Sequence, residues 1–181
     1  RWLLALFLTA TSAQADLVVT FSDGNPHDRF WLQNTGCATL VGVVTIDLTQ
    51  SAGRVLIDSI RGGPGTKDPM PVEIERGDNT LGPVMDGDQH LDIYLHGLAP
   101  DTVAVVTLDL DGDVGWLAAP NVGVENSEMA GARATIDSPD WAATALFDAT
   151  ARARFDAINP KPCAPPPTPP NPVPNDGPLV G

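Results

Sequence analysis

Short segments in which every second residue is apolar recur along most of the chain. Leu17, Val19 and Phe21 show the pattern first, and similar runs follow at intervals of about 8–12 residues. Clusters rich in Gly, Pro, Asp and Asn separate them, at 23–26, 62–65, 76–79, 86–88 and 98–101. A two-residue period puts alternate side chains on opposite faces of a strand, and such clusters form turns. The pattern therefore predicts an all-β fold, an antiparallel β-sandwich of immunoglobulin-like or jelly-roll-like type.

Residues 138–158 fit two different structures. Ser138-Pro139-Asp140 has the form of a helix start, with a capping serine before a proline at the first helical position. The runs 132–136 and 151–155 alternate instead, as expected for two arms of a final hairpin around a turn-like connection. We favour the hairpin, because helix propensity by itself is weak evidence. A helix here would pack across one end of the sandwich.

Both ends of the chain differ from this body. Residues 1–15 start with a basic residue, continue with an apolar run and end in Ala13-Gln14-Ala15, the pattern of a secretory signal peptide cleaved before Asp16. The apolar run is too short to span a bilayer, so we expect no transmembrane segment after cleavage. Residues 159–181 contain ten prolines, which predicts an extended tail or linker.

These features divide the chain into a signal peptide (1–15), a β-sandwich domain (16–158) and a Pro-rich tail (159–181). We expect the protein to be exported, to the periplasm, the cell surface or the medium. Cys37 and Cys163, its two cysteines, would then lie in an oxidising compartment, where disulfides persist. The even number predicts one disulfide between them.

The charge balance excludes one class of partner. The chain has 23 acidic and 10 basic residues, for a formal net charge of −13. Nucleic-acid binding needs clustered Lys and Arg to neutralise phosphates, so this chain repels polyanions. We expect no nucleic-acid partner.

The strongest candidate site is the acidic run Asp109-Leu110-Asp111-Gly112-Asp113. On a strand, Asp109 and Asp111 share one face, and Asp113 follows at a glycine turn, so three carboxylates can converge on a hard cation. Calcium is the predicted ion, because its oxygen coordination is tolerant and it is plentiful outside cells. The run is not an EF-hand loop, since its glycine is at the fourth position.

A weaker candidate is the turn in which Asp86 and Asp88 flank Gly87. The alternative for both acidic runs is a set of turn residues on a solvated surface. Trp116, just after the first run, is a candidate platform for stacking a sugar, and a tryptophan in the core is the alternative.

No catalytic constellation stands out. No serine lies in a nucleophile-elbow pattern, and spacing singles out no pair among the 23 acids. We therefore expect no enzymatic activity, and no cofactor other than calcium.

Six stretches of the sequence together resemble a family of exported proteins. They are ADLVVTF (15–21), DRFWLQNTG (28–36), TIDL (45–48), SAG (51–53), DGD (86–88) and GLAP (97–100). They resemble small exported proteins of marine alphaproteobacteria labelled "aggregation factor core", over roughly residues 15–136. The label borrows from sponge aggregation factors, which are calcium-dependent adhesion proteoglycans. The resemblance implies adhesion and calcium dependence, and brings no catalytic motif.

The sequence thus predicts a secreted or cell-surface adhesion or aggregation module that is calcium-dependent and non-catalytic. Its expected partner is an extracellular glycan or a surface protein. The first alternative is a carbohydrate-binding module of an exported protein, and the least favoured is a secreted hydrolase.

Overall fold

The computed structural model describes residues 15–24, 27–61, 69–112, 123–139 and 141–156. Twelve strands and one 3-10 turn (Asn126–Met129) lie in this part of the chain. The strands are β1 (Ala15–Ser22), β2 (Asp28–Asn34), β3 (Leu40–Asp47), β4 (Val55–Ile57), β5 (Glu73–Arg76), β6 (Asn79–Leu81), β7 (His90–Leu98), β8 (Val103–Leu108), β9 (Leu110–Gly112), β10 (Arg133–Ser138), β11 (Trp141–Leu146) and β12 (Arg152–Asp156). No helix among the described residues is long and apolar enough to cross a membrane. Residues 1–14 of the predicted signal peptide and the Pro-rich tail lie outside them, whereas Ala15, the last residue of the predicted signal peptide, begins β1.

Two five-stranded sheets form the body of the domain. The first has the order β12-β1-β2-β8-β5, and the second has the order β11-β10-β3-β7-β6. All of these pairings are antiparallel. The prediction of an all-β antiparallel sandwich is confirmed.

The core lies between the two sheets and follows from the alternation of the strands. In β2, Phe30 and Leu32 are fully buried, whereas Trp31 faces outward and is half-buried. The Trp31 indole Nε1 donates a hydrogen bond to the Ser22 hydroxyl at 3.0 Å. Phe30 packs against two other aromatic rings, with centroid distances of 5.5 Å to Phe21 and 6.1 Å to Phe147. These tilted contacts are of the kind that aromatic pairs prefer.

The helix considered for residues 138–158 is wrong, because the described residues of this region form strands. The two alternating runs fall on β10 and β12, but they do not pair with each other. β10 pairs instead with β11, which lies in the segment that the hairpin prediction assigns to the connection. β12 pairs with β1 in the opposite sheet. The chain therefore crosses from one sheet to the other between β11 and β12.

A third, two-stranded sheet closes one end of the sandwich. It pairs β4 with β9, and β9 continues the path of β8 after Asp109. Val55, Ile57 and Leu110 of these strands are fully buried and belong to the main core. Because this small sheet is anchored through its apolar side chains, it holds the acidic residues beside them in fixed positions.

Candidate metal centre

Three aspartates converge at the small sheet. Asp58, Asp109 and Asp111 each offer one carboxylate oxygen, and the three oxygens all lie within 4.8 Å of one another. The exposed fraction of Asp58 is 0% and that of Asp111 is 2%, while Asp109 is half-buried. Each of the three residues also takes part in at least one further polar or electrostatic interaction.

The register of β4 and β9 explains the convergence. Leu56 lies opposite Asp111, Ile57 lies opposite Leu110, and the backbone N–H of Asp58 donates to the Asp109 carbonyl at 3.0 Å. Since Leu110 is buried in the core, its neighbours Asp109 and Asp111 point to the other face of the strand. Asp58 is the next residue along β4 and therefore meets them across the strand pair.

The turn bearing Asp86 and Asp88 fastens the segment that carries Asp58. Asp86 Oδ1 accepts hydrogen bonds from the backbone N–H groups of Ser59 and Ile60, at 2.8 and 3.0 Å. Asp88 Oδ2 accepts from the backbone N–H of Met85 at 2.6 Å. The Asp86 and Asp88 carboxylates are thus engaged with backbone groups, and neither belongs to the three-carboxylate group.

Gly87 makes this turn possible. Its φ is 82°, in the left-handed region that side chains with a Cβ rarely adopt. The turn is closed by a hydrogen bond from the Asp88 N–H to the Met85 carbonyl at 3.1 Å. Its backbone then pairs with Ile57, because Gly87 N–H donates to the Ile57 carbonyl and Ile57 N–H donates to the Asp88 carbonyl.

A fourth aspartate, Asp28, lies behind the group at the start of β2. Its Oδ2 accepts a hydrogen bond from the Leu110 N–H at 3.0 Å, and its Oδ1 accepts one from the Gly24 N–H at 3.2 Å. Asp28 is 3% exposed. Burial raises the pKa of Asp28 to about 7, these two hydrogen bonds oppose the rise, and the charges of Asp23 and Asp111 add to it.

The geometry of the group suits a hard cation with oxygen ligands. Ca²⁺ binds oxygens at about 2.3–2.6 Å, so two ligands of one ion lie at most about 4.6–5.2 Å apart. The 4.8 Å limit on the three oxygens is compatible with this. Mg²⁺ binds at about 2.0–2.1 Å in a stricter octahedron, which limits its ligands to about 4.2 Å apart. Oxygens this close can share one hard cation, and calcium is more tolerant than magnesium of their exact arrangement.

The predicted site residues have different outcomes. Asp109 and Asp111 are brought together, as the strand pattern predicted, while Asp113 lies outside the described residues. Trp116 and Cys163 also lie outside them, so the sugar platform and the disulfide to Cys37 stay predictions.

Sequence reasoning missed Asp58 and Asp28. Asp58 directly follows β4 just as Asp109 directly follows β8, so an acid directly after a buried strand was the available signal. No such local signal marks Asp28, because its role depends on the distant Leu110.

Comparisons of the chain with models of protein families, with curated proteins and with solved structures found no match. The functional argument therefore depends on the residues and their geometry.

Proposed function

We propose that this protein is an exported adhesion or aggregation module that binds one calcium ion at Asp58, Asp109 and Asp111 and acts by binding rather than catalysis. One observation carries the proposal: the three carboxylate oxygens lie within 4.8 Å of one another, and two of the side chains are almost fully buried. Carboxylates buried side by side repel one another, and a cation bound between them offsets that repulsion.

The position of the group gives the ion a mechanical role. Asp58 follows β4, whereas Asp109 and Asp111 belong to the β8–β9 junction, so one ion joins two separate parts of the chain. Asp86 and Asp88 act as positioning residues, because they hold the backbone from which Asp58 projects. Calcium would therefore stabilise this end of the sandwich, and a partner that binds there would depend on calcium.

The same geometry is unfavourable for a hydrolase. Glycosidases place their two carboxyl groups about 5–5.5 Å or 6.5–9.5 Å apart, with the sugar between them. Here the oxygens are closer than that, and Asp58 and Asp111 are shielded from solvent. A carboxylate group buried in this way supports an ion site better than a cleft for a substrate.

The calcium site is tested by calorimetric titration and thermal melting with and without chelator. Calcium at 100 times its Kd would stabilise the fold by about 2.7 kcal/mol. For a domain of this size, that raises Tm by about 5–10 °C. Asp58→Asn should abolish both the binding heat and the calcium-induced rise in Tm.

Asp78→Asn is the matched control, because Asp78 is exposed and lies in the turn between β5 and β6. It removes the same charge from the chain and should leave calcium binding unchanged. Equal loss of calcium binding in Asp58→Asn and Asp78→Asn would mean that the calcium affinity depends only on the net charge of the chain.

Adhesion is tested separately, with beads coated with the full chain and with cells of the producing bacterium. We expect clumping in calcium, dispersal by chelator and no clumping with Asp58→Asn. Calcium binding without any calcium-dependent clumping would contradict the adhesion role but would not contradict the calcium site.

A further inference from the structure

The two large sheets have four edges, and three of them carry features that oppose pairing with another chain. Three of the four residues of β5 are exposed and charged, and three of the five residues of β12 are exposed and charged. β6 is only three residues long. Charged side chains and short edge strands are the usual protection against unwanted strand addition.

The fourth edge, β11, lacks this protection. Its six residues, WAATAL, include no charged residue. β11 pairs with β10 on one side and is the last strand of its sheet; β12 of the other sheet lies close to it but does not pair with it. Ala142, Thr144 and Leu146 point outward, and the exposed fraction of Leu146 is 59%. An uncharged edge of this length presents backbone N–H and C=O groups to a further strand.

On the outer face beside β11, the central row of side chains starts with three threonines. Thr144 lies opposite Thr135, and Thr135 lies opposite Thr45 in the next strand. The Thr144 and Thr135 hydroxyl oxygens are 3.3 Å apart, and Thr45 donates a hydrogen bond to Asp92 at 2.6 Å. A row of three threonines therefore runs from β3, where it meets Asp92 of β7, to the edge of the sheet at β11.

We propose that β11 pairs with β11 of a second copy of this chain, antiparallel and about a two-fold axis at Thr144, so that the two sheets join. This register places Thr144 opposite its counterpart and continues the threonine row into the second copy. It also places the large Leu146 opposite the small Ala142, and keeps residues 142–146 of both strands paired.

The charges beside β11 slightly favour the antiparallel arrangement. On β10, Arg133 lies opposite Leu146 and Asp137 lies opposite Ala142, so the two charges are at opposite ends. The proposed register puts Arg133 of one copy in the same row as Asp137 of the other, whereas parallel strands would align like charges. Three strand spacings, about 14 Å, separate the opposite charges, so this preference is small beside the strand pairing itself.

The net charge of −13 sets a condition on the pairing. Two copies repel each other, and salt screens that repulsion. Dimer formation should therefore strengthen as the salt concentration rises. The pairing uses no residue of the proposed calcium site, so the dimer can be tested independently of calcium binding.

The test is sedimentation of the full chain in chelator over a range of protein and salt concentrations. We expect a monomer–dimer equilibrium for the wild type. Thr144→Lys should weaken it about five- to tenfold, because two like charges then face each other at the axis. Thr80→Lys is the matched control, since Thr80 is exposed on β6, the other edge of the same sheet, and should leave the dimer unchanged.

A charge-swap experiment identifies the partner. Thr144→Lys and Thr144→Asp should each dimerise poorly, and their mixture should form a heterodimer that recovers most of the wild-type affinity. Both variants should keep the wild-type Tm as monomers, because the Thr144 side chain is exposed.

Three results would overturn the proposal. They are a wild type that stays monomeric up to its solubility limit, a dimer that Thr144→Lys leaves unchanged, and a mixture that fails to pair. Protection, in a monomer, of the β11 amides that do not bond to β10 would also overturn it, since another segment of the same chain would then cover the edge.

Discussion

At the scale of single residues, three of the 23 acidic residues of the chain are almost fully buried. Asp28, Asp58 and Asp111 are each at most 3% exposed, although carboxylates are rarely buried this deeply. Two of them belong to the proposed calcium group, and the third is held by the backbone N–H groups of Gly24 and Leu110. The excess of acids was visible in the sequence, but burial was not, because it depends on which strands pair.

Asp28 should make the stability of the calcium-free protein fall between about pH 4 and pH 7. Its pKa is about 7 in the folded protein against an ordinary value of 3.8, so the folded state binds the proton more tightly. The stabilisation is complete below the unfolded pKa and is lost as the pH rises through the folded pKa. The shift corresponds to at most about 4 kcal/mol.

Urea denaturation in chelator across this pH range checks the prediction, with Asp28→Asn as the variant that should flatten the profile. Asp148 is a suitable control position, because hydrogen bonds from the Thr150 hydroxyl and from backbone N–H groups lower the pKa of Asp148. Its effect on stability therefore lies at lower pH. A wild-type profile that rises from pH 4 to pH 7 would contradict the prediction.

At the scale of elements, the sequence predicted strands better than it predicted their partners. The alternation of 132–136 and 151–155 correctly indicated β10 and β12, yet these strands lie in different sheets. Alternation indicates which side chains of a strand face the core, but it does not indicate which other strand pairs with that strand. The pairing of β4 with β9, which brings Asp58 to Asp109, was unpredictable for the same reason.

The Asp86 turn offers a test of positioning as distinct from ligation. Asp86→Ala removes the acceptor for the Ser59 and Ile60 N–H groups and should destabilise the protein by about 1–3 kcal/mol. It should also weaken calcium binding, because the segment carrying Asp58 is released. Asp86→Asn keeps an acceptor oxygen, so it should keep most of the wild-type stability and most of the wild-type calcium affinity.

Calorimetry and denaturant unfolding of the two Asp86 variants decide between the roles. If Asp86 were a calcium ligand, Asp86→Asn would lose binding much as Asp86→Ala does, with little difference in stability. That result would move the proposed site toward the Asp86–Asp88 turn.

At the scale of the whole molecule, two sheets share one core whose order follows from the alternating strands. The aromatic cluster of Phe21, Phe30 and Phe147 joins β1, β2 and the segment after β11, and so connects the two sheets. The sandwich class was predictable because many short alternating runs have few other ways to bury their apolar faces. The order of the strands was not, because it depends on contacts between distant segments.

Neighbouring aromatic residues of β2 test this register. Phe30→Ala should cost about 3–5 kcal/mol of unfolding free energy, since it empties a fully buried site. Trp31→Ala should cost clearly less, because the indole lies on the outer face and is half-buried. Denaturant unfolding measures both, and a larger loss for Trp31→Ala would mean that the inward and outward faces of β2 are reversed.

The most direct test of the account is anomalous diffraction from crystals grown with calcium. The proposed site predicts one calcium peak about 2.3–2.6 Å from carboxylate oxygens of Asp58, Asp109 and Asp111, and its absence in crystals of Asp58→Asn. An ordered group of these three side chains without an ion in saturating calcium would contradict the account, as would a peak held by Asp86 and Asp88 instead.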